Sequence, residues 1–212
     1  MKYFFLGLFT GTTAFHILTL IYGSRKLRKI SKALLMPALV IYYFFAAEHF
    51  LWPVALAGLL GWAGDIFLIK KERKIRFMLG ILGFLLGHLC YTWSIRQFIG
   101  TVYYSALAVA IIIGLILAFT SMRIIHPPKL FLIPGFCYIL ALEALGISSL
   151  CLLLYRKDIL GGAIFGGSIF FLISDFILAY YAFRRFPRFG HLAVMTTYLI
   201  AQAGIIIGLA HI

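Results

Sequence analysis

Long apolar runs follow one another along the whole chain, and only short polar segments separate them. Runs near or above about 18 residues are long enough to cross the hydrocarbon core of a bilayer as helices. The pattern predicts eight helices, at about residues 3–22, 33–48, 51–69, 77–96, 102–121, 130–154, 159–183 and 191–211. Because the connections are brief, neighbouring helices should pack antiparallel. We therefore expect an all-α, polytopic membrane helical bundle with about eight transmembrane helices.

The composition supports a single membrane domain. Hydrophobic residues make up 64% of the 212 residues, and the mean hydropathy is +1.06. A soluble domain of this size could not bury so many apolar side chains, and no Gly/Ser linker or long charge run marks a second domain. We predict one transmembrane domain over residues 1–212, embedded in the lipid bilayer. The basic cluster near residues 1–22 follows the apolar run instead of leading it, which favours a retained first helix over a signal peptide.

The net charge of +13 is concentrated in alternate loops. Such an alternation is the positive-inside pattern of membrane proteins, so we expect no nucleic-acid partner. Fifteen of the nineteen basic residues fall after helices 1, 3, 5 and 7, namely Arg25, Lys26, Arg28, Lys29, Lys32, Lys70, Lys71, Arg73, Lys74, Arg76, Arg123, Lys129, Arg184, Arg185 and Arg188. Both termini should therefore face the non-cytoplasmic side, and in a bacterium the membrane would be the inner (plasma) membrane.

Two aspartates lie inside apolar runs, each directly after a small residue: Asp65 in GWAGDIFLI and Asp175 in FFLISDFILAY. A carboxylate at membrane depth costs roughly 2.5–3.5 kcal/mol on insertion scales, so two in matching contexts favour a functional role. We interpret them as a polar chamber in the cytoplasmic half of the bundle. One carboxyl would donate a proton, and the other would act as a base or stabilise charge. The alternative is structural: Asp65 could pair with Lys32 or Lys70.

Further polar residues fall on the predicted fourth and eighth helices. His88 and Tyr91 lie one turn apart on one face, and Tyr198 and Gln202 share a stripe. A zinc site formed by His88 and the two aspartates is chemically possible. Nothing with metal-ligand spacing supports it, so we expect no metal and no cofactor. Serine-nucleophile, P-loop and dinucleotide-binding motifs are also absent from the sequence.

The two aspartate segments suggest a second class of function. Both are followed by a basic loop and a helix with further polar residues, which could mark a duplicated four-helix unit. Intramembrane acids and internal repeats occur in transporters, so transport of a small ion or polar lipid is the alternative to catalysis. Gly or Pro breaks within paired helices would favour that alternative, but Pro37, Pro53 and Pro134 are predicted near helix starts.

The chain resembles the lysoplasmalogenase family, the YhhN-like membrane proteins. The stretches that match are SKALLMP, GWAGDIFLI, GFLLGHLCY, GGAIFGGSIFFLISDFILAYYAF and MTTYLIAQAGI, in family order over nearly the whole chain. The resemblance implies an eight-helix membrane hydrolase that cleaves the vinyl ether bond of lysoplasmalogens to a fatty aldehyde and glycerophosphocholine or glycerophosphoethanolamine. The family's polar positions correspond here to Lys32, Asp65, His88, Tyr91, Ser174, Asp175, Tyr198 and Gln202. The resemblance assigns no acid to the position of Glu143, so we treat that residue as peripheral.

This implied reaction suits the residues. Vinyl ethers hydrolyse by slow proton transfer to carbon, followed by addition of water to an oxocarbenium ion, and inverting glycosidases stabilise a similar cation with two carboxyl groups. We expect Asp175 to donate the proton and Asp65 to stabilise the cation or activate water, although the reverse assignment also fits. His88 would orient them together with Tyr91, Ser174, Tyr198 and Gln202. The chain of the lysophospholipid would lie among apolar helix faces, with its phosphate near Lys32 and the basic loops.

Overall fold

Helices form nearly all of the computed structural model, which describes residues 1–69, 74–183 and 189–212, with the Arg25 side chain left undescribed. The helices are α1 (Lys2–Tyr22), α2 (Arg25–Ala46), α3 (Trp52–Leu68), α4 (Lys74–Arg96), α5 (Tyr104–Ile125), α6 (Leu132–Arg156), α7 (Ile159–Ala182) and α8 (Gly190–Ala210). A short 3-10 turn, Lys129–Phe131, precedes α6. Within the described ranges no strand occurs, so the all-α prediction is confirmed and the eight predicted helices are all found.

The start of α2 differs from the prediction. We expected this helix to begin near residue 33, but it begins at Arg25, where the hydroxyl of Ser24 caps it by accepting a hydrogen bond from the Leu27 N–H at 3.4 Å. Basic residues have good helix propensity, so the charged segment that reads as a loop by hydropathy forms the first turns of α2 instead.

Pro37 consequently lies inside α2 and not near its start. A proline has no N–H, so the carbonyl of Ala33, four residues earlier, loses its helical partner. The indole Nε1–H of Trp62 in α3 donates to that carbonyl at 2.9 Å. This bond satisfies the backbone group that the proline leaves free, and it fixes α2 against α3.

Small residues allow the closest helix pairs. In α7 and α8, Gly167 and Gly204 lie backbone to backbone: a Cβ added at Gly167 would come within 2.9 Å of the Ala201 carbonyl oxygen. A similar approach joins α3 to α4, where a Cβ at Gly83 would lie 3.0 Å from the Leu60 carbonyl oxygen. Close backbone approach of this kind is typical of helix pairs in membranes, where dispersion contacts replace the hydrophobic effect as the driving force.

The outer surface of the bundle is apolar. Seven of the described helices are long and apolar enough to cross a bilayer, and α3, at 17 residues, is the shorter one. The helix α5 packs mainly against α6 and presents a row of exposed side chains, including Ile112, Ile116 and Phe119, to its surroundings. We conclude that the chain is a multi-pass integral membrane protein. The basic residues at 70–73 and 184–188, which we predicted to lie in cytoplasmic loops, are outside the described residues.

The α7–α8 contact gives a direct test. We expect Gly167→Ala to lower the free energy of unfolding by about 1–3 kcal/mol, because the added methyl group must push against the backbone of α8. Gly166→Ala is the matched control, since nothing lies within 4 Å of a Cβ at the neighbouring position. Denaturant titration in detergent micelles would measure both. Equal stability of the two variants would contradict the close packing.

Candidate active site

Asp175 is at the centre of a buried hydrogen-bonded group that joins three helices. The hydroxyl of Tyr138 in α6 donates to Oδ2 of Asp175 in α7. His88 in α4 brings its Nε2 to 3.1 Å from the Tyr138 hydroxyl and 3.4 Å from Asp175 Oδ2. The ring of Phe171 meets the His88 ring edge to face at 4.6 Å and holds it in place. We call His88, Tyr138 and Asp175 the Asp175 network.

Asp65 belongs to a second hydrogen-bonded group. Its Oδ1 forms an ion pair with Lys32 Nζ at 3.0 Å, and its Oδ2 accepts a hydrogen bond from the Tyr198 hydroxyl at 2.8 Å. Gln202 Nε2 lies 3.3 Å from that hydroxyl, and the Tyr91 hydroxyl donates to Gln202 Oε1 at 2.7 Å. We call these five residues the Asp65 network. Each polar group has a partner, as a low-dielectric interior requires.

Each network links the closely packed pair α3–α4 to the closely packed pair α7–α8. Asp65 is on α3 but bonds Tyr198 of α8, whereas Asp175 is on α7 and bonds towards His88 of α4. The rings of Phe84 and Phe171 lie between them, each edge to face with Tyr198 at 5.8 and 5.6 Å. Sequence reasoning expected the two aspartates to share one chamber, but in the described structure they are neighbours with aromatic rings between them.

A cavity of about 120 Å³ opens beside the Asp175 network. Its walls are apolar except for Ser121, Tyr138, Glu143 and Asp175, and no lysine, arginine or histidine is among the described residues that line it. Asp65 and the rest of its network do not contribute to these walls. The cavity therefore combines apolar walls with two carboxyl groups, as ligand pockets commonly combine an apolar lining with a few polar groups.

Three phenylalanine rings stand at the end of this cavity nearest the predicted basic loops. Phe77, Phe131 and Phe183 come from the starts of α4 and α6 and the end of α7, and their ring centroids are 5.4–6.2 Å apart. From that end Tyr138 is six residues into α6 and Asp175 seven residues from the end of α7. At 1.5 Å per residue, both therefore lie about 9–11 Å deep.

Of the residues predicted for the site, Asp175 alone lines this cavity. His88 does not line the cavity but contacts Asp175 and Tyr138, which do. The other predicted residues belong to the Asp65 network: Lys32, Tyr91, Tyr198 and Gln202. The hydroxyl of Ser174 donates to the Val194 carbonyl at 3.1 Å, which is a contact between α7 and α8 and not with the cavity. Lys32 forms an ion pair with Asp65, which is the structural alternative considered from the sequence. Its contact with a substrate phosphate stays a prediction.

Sequence reasoning missed Tyr138 and set Glu143 aside. Tyr138 lies in the apolar stretch FCYILALEAL, where a tyrosine hydroxyl needs a buried partner, and that requirement was the one available signal. Among the described residues no three His, Cys, Asp or Glu side chains are grouped so that they could hold a metal ion. The Asp175 network thus offers proton donors and acceptors, and a hydrogen bond from Tyr138 would stabilise negative charge that forms on Asp175.

The fold and the buried networks define a polytopic helical membrane protein with a carboxyl group facing an internal apolar cavity. The chain belongs to the YhhN family, whose family model matches residues 27–209. This match confirms the resemblance drawn from the sequence. No curated protein and no solved structure matches the chain.

The ion pair in the Asp65 network leads to a stability prediction. We expect Lys32→Met to lower the free energy of unfolding by about 3–5 kcal/mol, because Asp65 would remain buried without a counter-ion. Lys29→Met is the control, since Lys29 is exposed on the same helix and should change stability by less than about 0.5 kcal/mol.

The double variant Lys32→Met/Asp65→Leu tests the reason for this loss. It should recover most of the stability, because a well-packed apolar pair can replace a buried ion pair at little cost. Unfolding in detergent would show both effects. If the double variant were no more stable than Lys32→Met, the loss would not come from the unpaired carboxylate.

Proposed function

We propose that this protein is a membrane hydrolase that cleaves the vinyl ether bond of lysoplasmalogens. The observation that carries the proposal is the apolar cavity whose wall presents Asp175 and Tyr138, with His88 bonded behind them, in a chain of the YhhN family. The substrates would be alkenyl glycerophosphocholine and glycerophosphoethanolamine. The products would be a fatty aldehyde and the glycerophospho-alcohol.

In the proposed reaction Asp175 donates a proton to the second carbon of the alkenyl chain. The carbon that bears the ether oxygen becomes an oxocarbenium ion, to which water adds. The resulting hemiacetal loses the glycerol oxygen as an alcohol and leaves the aldehyde. Tyr138 donates a hydrogen bond to the carboxylate that Asp175 becomes, so its contribution is largest in the transition state, where that charge develops. No cofactor takes part in these steps.

The charges around the cavity determine how the substrate would enter. Two acids and no basic side chain among the described lining residues make the slot unsuitable for a phosphate. The apolar chain and the ether would enter it, and the phosphate would remain at the end where Lys74, Arg123 and Lys129 are found. With that end facing the cytoplasm, as the distribution of basic residues indicates, both termini face the other side.

In this proposal Asp65 acts on the site indirectly. It is joined to Lys32 and Tyr198, and Tyr198 in turn packs against Phe171, which contacts His88. The Asp65 network would therefore position the Asp175 network through the rings between them, while Asp175 meets the substrate. Lys32 would have the same supporting role.

Transport of a small ion or polar lipid is the second candidate, and one observation favours it. Pro37 lies inside a membrane-length helix, and interrupted helices are typical of transporter binding sites. The interruption is covered, however, because Trp62 satisfies the free Ala33 carbonyl. A transporter would move its substrate across sealed vesicles without releasing an aldehyde.

The proposal predicts the outcome of one assay. Purified protein in detergent should release fatty aldehyde from lysoplasmenylcholine or lysoplasmenylethanolamine, and Asp175→Asn should lower kcat by about 10²–10⁴-fold, because an amide cannot donate the proton. Asp65→Asn should also lower activity, by less, through the altered position of Tyr198 and its neighbours.

Asp158→Asn is the control for these variants, since Asp158 is a carboxylate of the helix cap before α7, outside the bundle core. It should keep the wild-type rate. Folded wild-type protein that releases no aldehyde from either lipid would remove this function and leave transport as the better explanation.

A further inference from the structure

Glu143 is a second carboxyl group in the wall of the Asp175 cavity. It lies on α6, is 9% exposed, and in the described part of the chain makes neither a hydrogen bond nor an ion pair. The neighbouring helix α5 has a glycine opposite it: a Cβ added at Gly114 would lie 3.2 Å from Glu143 Oε2. The missing side chain of Gly114 is what makes room for the carboxyl group.

An unpartnered carboxyl group in this position is expensive to keep. Groups of this kind in a membrane cost several kcal/mol unless something satisfies them, and an apolar residue would fill the same space without that cost. Asp65 and Asp175 each accept hydrogen bonds from neighbouring side chains. Glu143 lines the cavity without such a partner in the described bundle, so its carboxyl oxygens are available to a molecule there.

Glu143 and Asp175 line the same cavity, Glu143 from α6 and Asp175 from α7. Tyr138, which bonds Asp175, lies five residues before Glu143 on α6. Inverting glycosidases place a water molecule between two carboxyl groups, beside the bond that breaks. A molecule in this cavity can therefore contact both carboxyl groups.

We propose that Glu143 is a catalytic residue of this site and binds the water that adds to the oxocarbenium ion. The inference rests on the proposed vinyl ether hydrolysis. It gives Glu143 the task that sequence reasoning assigned to Asp65, which is paired with Lys32 outside the cavity walls.

The steps balance as follows. Asp175 transfers its proton to the second alkenyl carbon and becomes a carboxylate. The water held by Glu143 adds its oxygen to the oxocarbenium carbon, and one of its protons returns to Asp175. Asp175 then protonates the glycerol oxygen as the carbon–oxygen bond breaks, and it regains a proton from the hemiacetal hydroxyl. One water is consumed, one aldehyde and one alcohol form, and both carboxyl groups end as they began.

Glu143→Met and Glu143→Gln provide the test. Methionine cannot hold the water, so kcat should fall on the order of 10²-fold. Glutamine still hydrogen-bonds water and should stay within about tenfold of wild type. The melting temperature of Glu143→Met in detergent should equal or exceed that of wild type, because an unpartnered carboxyl group has been removed from the bundle.

Deuterium exchange separates this role from a structural one. If water addition is slowed, the cation returns its proton to Asp175, and in D₂O the unreacted lipid recovered from Glu143→Met should contain deuterium at the second alkenyl carbon. Wild-type protein, in which water adds quickly, should leave the recovered lipid unlabelled. A residue that only supports packing would slow the reaction without such labelling.

A second variant moves Glu143 without changing it. Gly114→Ala must displace the carboxyl group by a few tenths of an ångström, so its kcat should fall severalfold and its recovered lipid should also be labelled. Gly166→Ala, with open space around its Cβ, is the control and should behave as wild type.

The outcomes distinguish this inference from the function on which it rests. Active wild-type protein with an unchanged rate in Glu143→Met, or with a lower rate and no deuterium in the recovered lipid, overturns the role of Glu143 and leaves the hydrolase intact. Wild-type protein that forms no aldehyde overturns both.

Discussion

The hydrocarbon surroundings make a polar group inside this bundle costly unless it finds a partner within the protein. The ion pair between Lys32 and Asp65 is the strongest response to that requirement, because it neutralises an aspartate that is almost fully buried. Through Tyr198 the same carboxylate also binds α8, so three helices are held at one point. Phe84 and Phe171 pack against the ring of the same Tyr198, and Phe171 in turn contacts His88 of the Asp175 network.

The two aspartates occupy similar sequence contexts but have different surroundings. Asp65 is enclosed by a cation and a tyrosine, whereas Asp175 contacts a tyrosine and a histidine and also lines the cavity. The difference arises because Asp65 bonds from α3 to α8, whereas Asp175 bonds from α7 to α6 and α4. Asp65 thereby connects α2, α3 and α8, whereas Asp175 is exposed to the cavity.

Hydropathy and charge distribution were enough to predict the eight helices, because bilayer thickness sets the length of each apolar run. They failed at the start of α2, where charged residues continue the helix beyond the apolar segment, and hence at Pro37. Most residues of the site could be selected because polar side chains in apolar runs are rare. Their grouping could not, since whether Asp65 and Asp175 share a wall depends on the rotation of each helix and on where Phe84 and Phe171 point. Glu143 was set aside because the family resemblance assigns no acid to its position. The space that holds its carboxyl group comes from Gly114, 29 positions away on another helix, which the sequence does not reveal.

The bond from Trp62 to the Ala33 carbonyl has a consequence for the ion pair next to it. Ala33 follows Lys32 directly, and Trp62 precedes Asp65 by one helical turn, so the indole bond and the ion pair form a two-point clamp between α2 and α3. A long lysine side chain loses up to about 2 kcal/mol of rotamer entropy when it is fixed in one position. Because the bond at Ala33 already fixes α2 against α3, the Lys32 ammonium group has fewer conformations to lose when it pairs with the Asp65 carboxylate. Proline, usually a source of flexibility in a helix, here increases the preorganisation of the bundle.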